Sequence, residues 1–542
     1  MEFPNLPSTS LTALLALLLL TTLFLTTLYH LFPRPRLTPA GLRAPPSPAG
    51  ARWLGGHAHL WAGNATSRPD STPLVRWARE LGEIYQIRLG AERWVVLSSP
   101  EAIKEVFDRQ GALTGSRPRM RVAMDVLSGG LRMLFMPYGK QWRAIRGIVH
   151  QCLTARSADK MKPSQDVESR RYLYDLLTDP AHFLDHVKRY TSSVIMYATY
   201  GRRVTSLDDP VLKAIYDETT VFGKVVGTRF LVDQYPFLEH LPRGLQWWRR
   251  QYEPYHEREV ELWMGLWNGL KKQLAAGVHT GCFVEKFMEV DYPQMGISEL
   301  QAAYVAGSMI EAGSDTTQLS LNSLILGLVA FPETVAAAHE ELDRVLGGAI
   351  PQFDDAPRLP YIRAMVKEVL RWRSVSNDHI RHDTTGDVVY KDYFIPAGST
   401  VVANQWAIHY DPTRYPDPQR FDPSRFLTHP SLALNAGECI NTGDLSKRDH
   451  WSFGAGRRVC AGYHLAENSL FILTARLLWA FDVRAPVDAQ GRRYTYDLWD
   501  YVPTRLFGPR PFPVEFVVRD EERRRVVLEG GEGTGSEKKV GA

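Results

Sequence analysis

Cys460 has the most chemistry around it, in the run Trp451-Ser452-Phe453-Gly454-Ala455-Gly456-Arg457-Arg458-Val459-Cys460-Ala461-Gly462. This glycine-rich loop opens into an apolar stretch, 465–481, that reads as a helix. A helix N-terminus and free loop N–H groups favour a thiolate over a thiol. Gly456 and Gly462 let backbone pass close to a flat macrocycle, where a β-carbon would collide. Phe453 is placed to shield the sulfur from water, and Arg458 to meet a carboxylate on the rim of such a group. The chemistry implied is a thiolate presented to a haem iron. A purely structural cysteine in a glycine-rich turn would need neither the aromatic residue nor the arginine.

Spaced this way, the residues resemble the Phe-x-x-Gly-x-Arg-x-Cys-x-Gly signature of the cytochromes P-450, the haem-thiolate monooxygenases. Three further segments carry the resemblance. The first is Ala312-Gly313-Ser314-Asp315-Thr316-Thr317, in a long helical stretch. A capping box, Ser298 with Gln301, starts that helix and Pro332 stops it. Its length is about 48 Å at 1.5 Å per residue, enough to cross a whole domain. A small pair followed by an acid and an alcohol suits a helix that bulges around bound dioxygen. Dioxygen activation consumes two protons, and a Thr hydroxyl fed by an Asp and waters can relay them. Asp315 and Thr316 are therefore the catalytic candidates. Alone, an Asp-Thr pair on a polar helix face would mean little; upstream of Cys460 it gains weight.

The second segment is Glu368-Val369-Leu370-Arg371, on a helix beginning near Pro360. Residues three apart share a helix face and can pair, although such pairs are usually solvated. With Phe421-Asp422-Pro423-Ser424-Arg425-Phe426 it resembles the family's Glu-x-x-Arg and Pro-x-Arg-Phe elements. The resemblance implies a buried ionic triad of Glu368, Arg371 and Arg425 that locks the cysteine loop. The third segment is Trp142-Arg143-Ala144-Ile145-Arg146. Trp142 and Arg146 lie on one helix face, and the resemblance implies that they hold a haem propionate. His382 stands where the family places another propionate partner. The pattern departs at Ser374, Asn377 and Arg381, where prolines are common, which predicts a more polar and more flexible substrate-facing turn.

These motifs must be brought together by one body. The chain has 542 residues, 44% hydrophobic and 11% aromatic, enough for a large core. Length alone suggests about three or four domains, but motifs scattered from Trp142 to Cys460 must meet at one site. The expectation is one catalytic domain over 51–519, mainly α with small β-sheets, in a cytochrome P-450 fold. Trp94-Val95-Val96-Leu97 reads as a buried strand and Tyr393-Phe394-Ile395-Pro396-Ala397-Gly398 as a strand ending in a turn. No internal repeat is visible.

The apolar run 11–32 would span roughly 33 Å as a helix, the thickness of a bilayer core. No Lys or Arg precedes it, whereas Arg34, Arg36, Arg43 and Arg52 follow. The positive-inside rule then puts 1–10 in the lumen and the catalytic domain in the cytosol, with one N-terminal transmembrane helix. The absence of a basic leader and the length of the run argue against a cleaved signal peptide. The sequon Asn64-Ala65-Thr66 would face the cytosol and stay unglycosylated. Prolines 33, 35, 45, 46 and 48 make 33–50 a stiff linker. The charge run at 520–525 reads as the start of a solvated, disordered tail, 520–542.

Four widely spaced cysteines form no disulfide framework or zinc spacing, which fits a reducing compartment. There is no Cys-x-x-Cys-His run, so the cofactor should be haem b held non-covalently. A net charge of +4 gives no argument for nucleic acid. The resemblance implies insertion of one atom of O2 into a lipophilic small molecule, with electrons from NADPH through a cytochrome reductase at the endoplasmic reticulum membrane. A basic patch around Arg457 would suit an acidic reductase. His450-Trp451 and the Tyr463–Asn468 run resemble filamentous-fungal members, many of which act on polyketides or terpenoids in secondary metabolism. Stretches 119–136, 219–233, 304–311, 374–380 and 501–507 are the substrate-facing candidates, and they suggest an apolar ligand with one or two polar handles. Phenol coupling shares the same activation steps and stays open. Intact Asp315-Thr316 counts against an isomerase or dehydratase. A haem sensor or electron carrier would need neither the long helix nor the anchor.

Overall fold

The computed structural model describes residues 8–31, 38–53, 55–61, 68–69, 72–228, 230–502 and 506–532. The sequon at Asn64 lies outside them. The long helices are α1 (Ser8–Leu31), α2 (Lys140–Cys152), α3 (Lys162–Thr178), α4 (Phe183–Tyr200), α5 (Pro210–Gly227), α6 (Trp247–Ala275), α7 (Glu299–Ala330), α8 (Pro332–Leu346), α9 (Pro360–Trp372), α10 (Tyr463–Ala480) and α11 (Glu521–Glu532). The strands are β1 (Ile84–Leu89), β2 (Glu92–Leu97), β3 (His382–Asp383), β4 (Val388–Tyr390), β5 (Tyr393–Ile395), β6 (Thr400–Ala403), β7 (Phe481–Arg484) and β8 (Glu515–Val518). The fold is mainly helical with small sheets, as the sequence predicts.

Helix α7 is the axis of the molecule. Its 32 residues correspond to about 48 Å at 1.5 Å per residue. Ser298 caps it by accepting from the Gln301 N–H at 3.1 Å. Only half of the expected box forms, because the Gln301 amide donates instead to the Leu131 carbonyl. Pro332, lacking an N–H, starts α8, and the chain bends by 101° between the two helices. The expected bulge at Ala312-Gly313 is absent, since α7 is α-helical throughout. Gly313 is small for a packing reason: a β-carbon there would lie 2.6 Å from Ile195 Cδ1 of α4. The adjacent Ala312 stays exposed.

Helix α10 runs through the core, buried continuously from Ser469 to Ala480, and meets α3, α7, α8 and α9. The main sheet has the order β1-β2-β6-β3. Strands β2 and β6 pair in parallel, and β3 pairs antiparallel to β6 with His382 opposite Val401. That pairing carries His382 into the interior.

Two terminal stretches differ from their sequence-based expectations. The proline-bearing stretch is no free spacer where it is described: Pro45 and Pro48 are buried. Gln86 donates to the Pro46 carbonyl through its N–H and to the Pro45 carbonyl through its amide, each at 2.8 Å. Residues Glu521–Glu532, expected to be disordered, form α11. Its charges alternate at helical spacing, so Arg524 pairs with Glu521, and Arg525 with Glu522 and Glu529. Val527 is buried, and Arg519 and Arg523 both reach Asp343 of α8. Among the described residues, no single helix is long and apolar enough to cross a membrane; the apolar part of α1 is Thr12–Leu23.

Candidate active site

The loop before α10 is cross-tied by its own backbone. The Cys460 N–H donates to the Phe453 carbonyl at 2.8 Å, Gly454 to Trp451 at 2.9 Å and Val459 to Gly456 at 3.2 Å. Gly456 has φ +64°, and a β-carbon there would lie 2.3 Å from the Phe107 carbonyl oxygen. Its N–H donates to Asp108 Oδ1 at 2.7 Å. Only glycine fits here, and the reason is protein backbone. Gly462 is the opposite case, since a β-carbon there would meet no protein atom within 4 Å.

Cys152, Cys282 and Cys439 are buried, whereas Cys460 is exposed. Burial nonetheless dominates its acidity and pushes the thiol up, against the Gly462 N–H and the Arg146 guanidinium, which pull it down. Cys460 is thus exposed as a residue while protein groups still surround it. Phe453 packs beside the loop against His450 and Tyr463, with ring centroids 5.3 and 6.3 Å away.

Positive charge converges on the Cys460 loop. Arg146 of α2 donates to the Val459 carbonyl at 2.6 Å. Arg458 donates to the carbonyls of Gly115, Met133 and Met136 at 2.7, 3.3 and 2.5 Å. Its guanidinium stacks 4.0 Å over the buried Trp142 ring. Burial, then the Arg146 charge, lowers Arg458 to about 9. Neither Arg146 nor Arg458 has a carboxylate partner among the described residues. Arg117, to which no sequence motif pointed, donates to Leu134, Ile380 and Arg381 carbonyls beside them. His382 is buried, its Nδ1 2.7 Å from the Thr114 carbonyl oxygen and its ring 4.3 Å from Phe107. Burial and then Arg117 hold it well below its ordinary range, so the imidazole is neutral. Since a carbonyl only accepts, the Nδ1 proton is already used.

Asp315 and Thr316 sit apart from this cluster, on α7. The Thr316 hydroxyl donates to the Ala312 carbonyl one turn back at 2.7 Å. Burial raises Asp315 to about 6, with Lys188 of α4 lowering it and Glu311 raising it. Among the described residues no hydrogen bond or ion pair joins Asp315 or Thr316 to the Cys460 loop. The two groups are related through the packing of α7 on α10. Glu311 itself is gripped by Arg132, which also holds Glu259 of α6 at 2.5 Å. All three are buried charges from separate elements, and sequence spacing gave no sign of them.

Below the loop, Glu368 and Arg371 of α9 are fully buried and paired side-on, Nε to Oε2 at 2.7 Å and Nη2 to Oε1 at 2.8 Å. Arg425 Nε reaches Glu368 Oε1 at 3.1 Å. Arg371 also donates to the His409 and Pro418 carbonyls at 2.9 Å, so the cluster ties α9 to the chain leading into the loop. The turn at 374–382 is polar, as expected, but it is bonded down. Ser452 Oγ lies 3.0 Å from Ser374 Oγ, and His379 Nε2 lies 2.9 Å from the Trp451 carbonyl oxygen.

The sequence pattern of the family described as Cytochrome P450 matches residues 45–495. The chain belongs to the cytochrome P450 family. It is 37% identical over 495 residues to cytochrome P450 monooxygenase verL of Clonostachys rogersoniana, covering 90% of this chain and 89% of that one. It is 39% identical to cytochrome P450 monooxygenase pgmC of Aspergillus terreus, covering 85% of each. A zebra fish cytochrome P450 solved with progesterone shares the fold, with a TM-score of 0.65 at 23% identity, over 82% of this chain and 98% of that one. This P450 is thus a haem-thiolate oxidoreductase of the monooxygenase type. Its residues fit haem b: an exposed cysteine in the loop, open space at Gly462, and the half-buried guanidiniums of Arg146 and Arg458, without carboxylate partners among the described residues, for two propionates.

Proposed function

We propose that this P450 is a membrane-anchored monooxygenase of fungal secondary metabolism, acting on a lipophilic polyketide or terpenoid. Electrons would come from NADPH through a cytochrome reductase in the endoplasmic reticulum membrane, with the catalytic body (51–519) in the cytosol. Haem bound through Cys460 supplies O2 activation, and electron donation from the thiolate favours O–O cleavage. Arg146, Arg458 and the Trp142 indole would hold the propionates. His382 would join them as a donor only if the propionate charge raises its basicity enough to overcome burial and Arg117. Phe453 keeps water from the sulfur, while Gly456 and Gly462 hold the loop at the right height. Asp315 and Thr316 carry protons inward from the α4 side of α7.

The reading rests chiefly on Cys460, the exposed cysteine of four, beside Arg146 and Arg458, which have no carboxylate partner among the described residues. Support for the membrane assignment is the composition of α1, whose described leucines Leu14, Leu15, Leu17, Leu18, Leu19 and Leu20 are all exposed. Support for the metabolic role is the fungal origin of the relatives. The test is the reduced carbon monoxide complex. Cys460→Ser should lose the thiolate-type spectrum, whereas Cys152→Ser, Cys282→Ser and Cys439→Ser should keep it. A thiolate-type spectrum from Cys460→Ser would refute the ligand assignment.

A further inference from the structure

Helix α9 carries a second buried ion pair, one residue before Glu368, and it points at a different segment. Lys367 Nζ lies 2.5 Å from Asp449 Oδ2, with the two side chains 5% and 3% exposed. Lys367 has only weak further contacts, the Leu434 carbonyl at 3.4 Å and Cys439 Sγ at 3.7 Å. The other oxygen of Asp449 accepts from the His450 N–H at 2.8 Å, so one carboxylate joins α9 to the backbone of the next residue. From there the chain is held atom by atom. The Trp451 N–H donates to His409 Nε2 at 2.9 Å, and Ser452 Oγ donates to the Leu370 carbonyl of α9 at 2.5 Å. The next carbonyl, that of Phe453, receives the Cys460 N–H. The run from Asp449 to Phe453 is therefore a short, hydrogen-bonded strap between α9 and the backbone of Cys460. Asp449 is its charged end.

We infer that Lys367 and Asp449 are positioning residues for Cys460: their pair fixes the strap that sets the height of the sulfur. The inference rests on Cys460 being the iron ligand. It goes beyond the Glu368 cluster, which grips Arg425 and the 416–425 chain and reaches the strap only indirectly, through His409, whose carbonyl accepts from Arg371 and whose ring accepts from Trp451. Neighbouring positions on α9 thus hold two supports, Glu368 for the chain that approaches the loop and Lys367, through Asp449, for the loop itself.

The test separates charge balance from positioning. Removing one partner leaves the other charge buried and unpaired, so Lys367→Met or Asp449→Asn alone can fail for stability reasons. Replacing both by apolar residues of similar volume removes the unpaired-charge cost and leaves only the His450 N–H without its acceptor. The full chain carrying Lys367→Met and Asp449→Leu together should load haem at the wild-type ratio and unfold near the wild-type temperature. Most of its reduced carbon monoxide complex should nonetheless move from the thiolate-type to the thiol-type spectrum. A wild-type thiolate spectrum from the double variant would show that the pair only balances charge. Failure of the double variant to take up haem would assign the pair to folding and also overturn the inference. Cys460→Ser, measured alongside, tells the two ideas apart. If it keeps the thiolate spectrum, the ligand assignment falls first; if it loses it, the double variant judges the strap alone.

Discussion

Asp315 lies one turn beyond Glu311 on α7, within electrostatic reach of Lys188 on α4 and Tyr216 on α5. Burial raises it to about 6, so its proton is exchanged near physiological pH, which a solvated aspartate could not do. The protonated fraction falls as pH rises through about 6. Turnover limited by proton delivery should fall with it, and Asp315→Asn should flatten that profile and slow turnover by about 10²-fold or more. Thr316→Ala should uncouple the reaction, with NADPH still consumed but peroxide formed in place of product. Measuring NADPH, peroxide and product together across pH checks both. Wild-type coupling in Thr316→Ala would hand the hydroxyl role to Thr317. At this scale the sequence identifies residues inside motifs and misses those outside. Arg117 and His379 bind backbone carbonyls of distant segments. Any residue type can supply a carbonyl, so no spacing betrays such a contact.

Helix α9 shows how one element can serve the site without touching substrate. Glu368 accepts from Arg371, from Arg425 and from the Asp422 N–H, all in the dry interior. Taking away one partner strands the others at a cost of about 3–5 kcal/mol. Glu368→Ala or Arg371→Ala should therefore yield little holoprotein, read as haem absorbance per mole of purified chain. Near-normal loading in both would mean that the cluster is dispensable. The boundaries of such helices were largely legible. The position of Pro360 and the apolar spacing of 465–481 placed α9 and α10 to within a residue or two. What failed was the reading of single features as isolated. Gly313 reads from the sequence as room for a ligand, whereas Ile195 of α4 packs against it. The charge run at 520–525 is solvated as expected, five of its six residues being exposed, but it is helical and not disordered, because α3 and α8 supply a surface for α11. In both cases the deciding neighbour lies more than a hundred residues away, beyond the reach of local pattern.

The whole molecule joins a charged, tightly bonded catalytic body to α1, whose described side chains are almost entirely aliphatic or hydroxylic. In that helix the hydroxyls of Thr21 and Thr22 donate to the Leu17 and Leu18 carbonyls at 2.6 and 2.5 Å. Its polar groups are thus satisfied inside the helix, the condition hydrocarbon imposes on any backbone or side chain within it. Leucines at 14, 15, 17, 18, 19 and 20 point around the full circumference, and all are exposed. A helix apolar all round, with its described leucines exposed, is the observation behind the proposed membrane anchor. The body, by contrast, begins to pack by Arg43, which pairs with Asp392 and donates across to β5 through Tyr393. This division predicts a clean separation on truncation. Full-length protein should sediment with membranes and resist alkaline carbonate extraction. A chain lacking residues 1–37 should lose that resistance while keeping the thiolate-type carbon monoxide spectrum, because every contact described around Cys460 lies beyond the deletion. Full-length protein released by carbonate would show that α1 does not span the bilayer. Loss of the spectrum on truncation would show that α1 supports the body and is not an independent anchor.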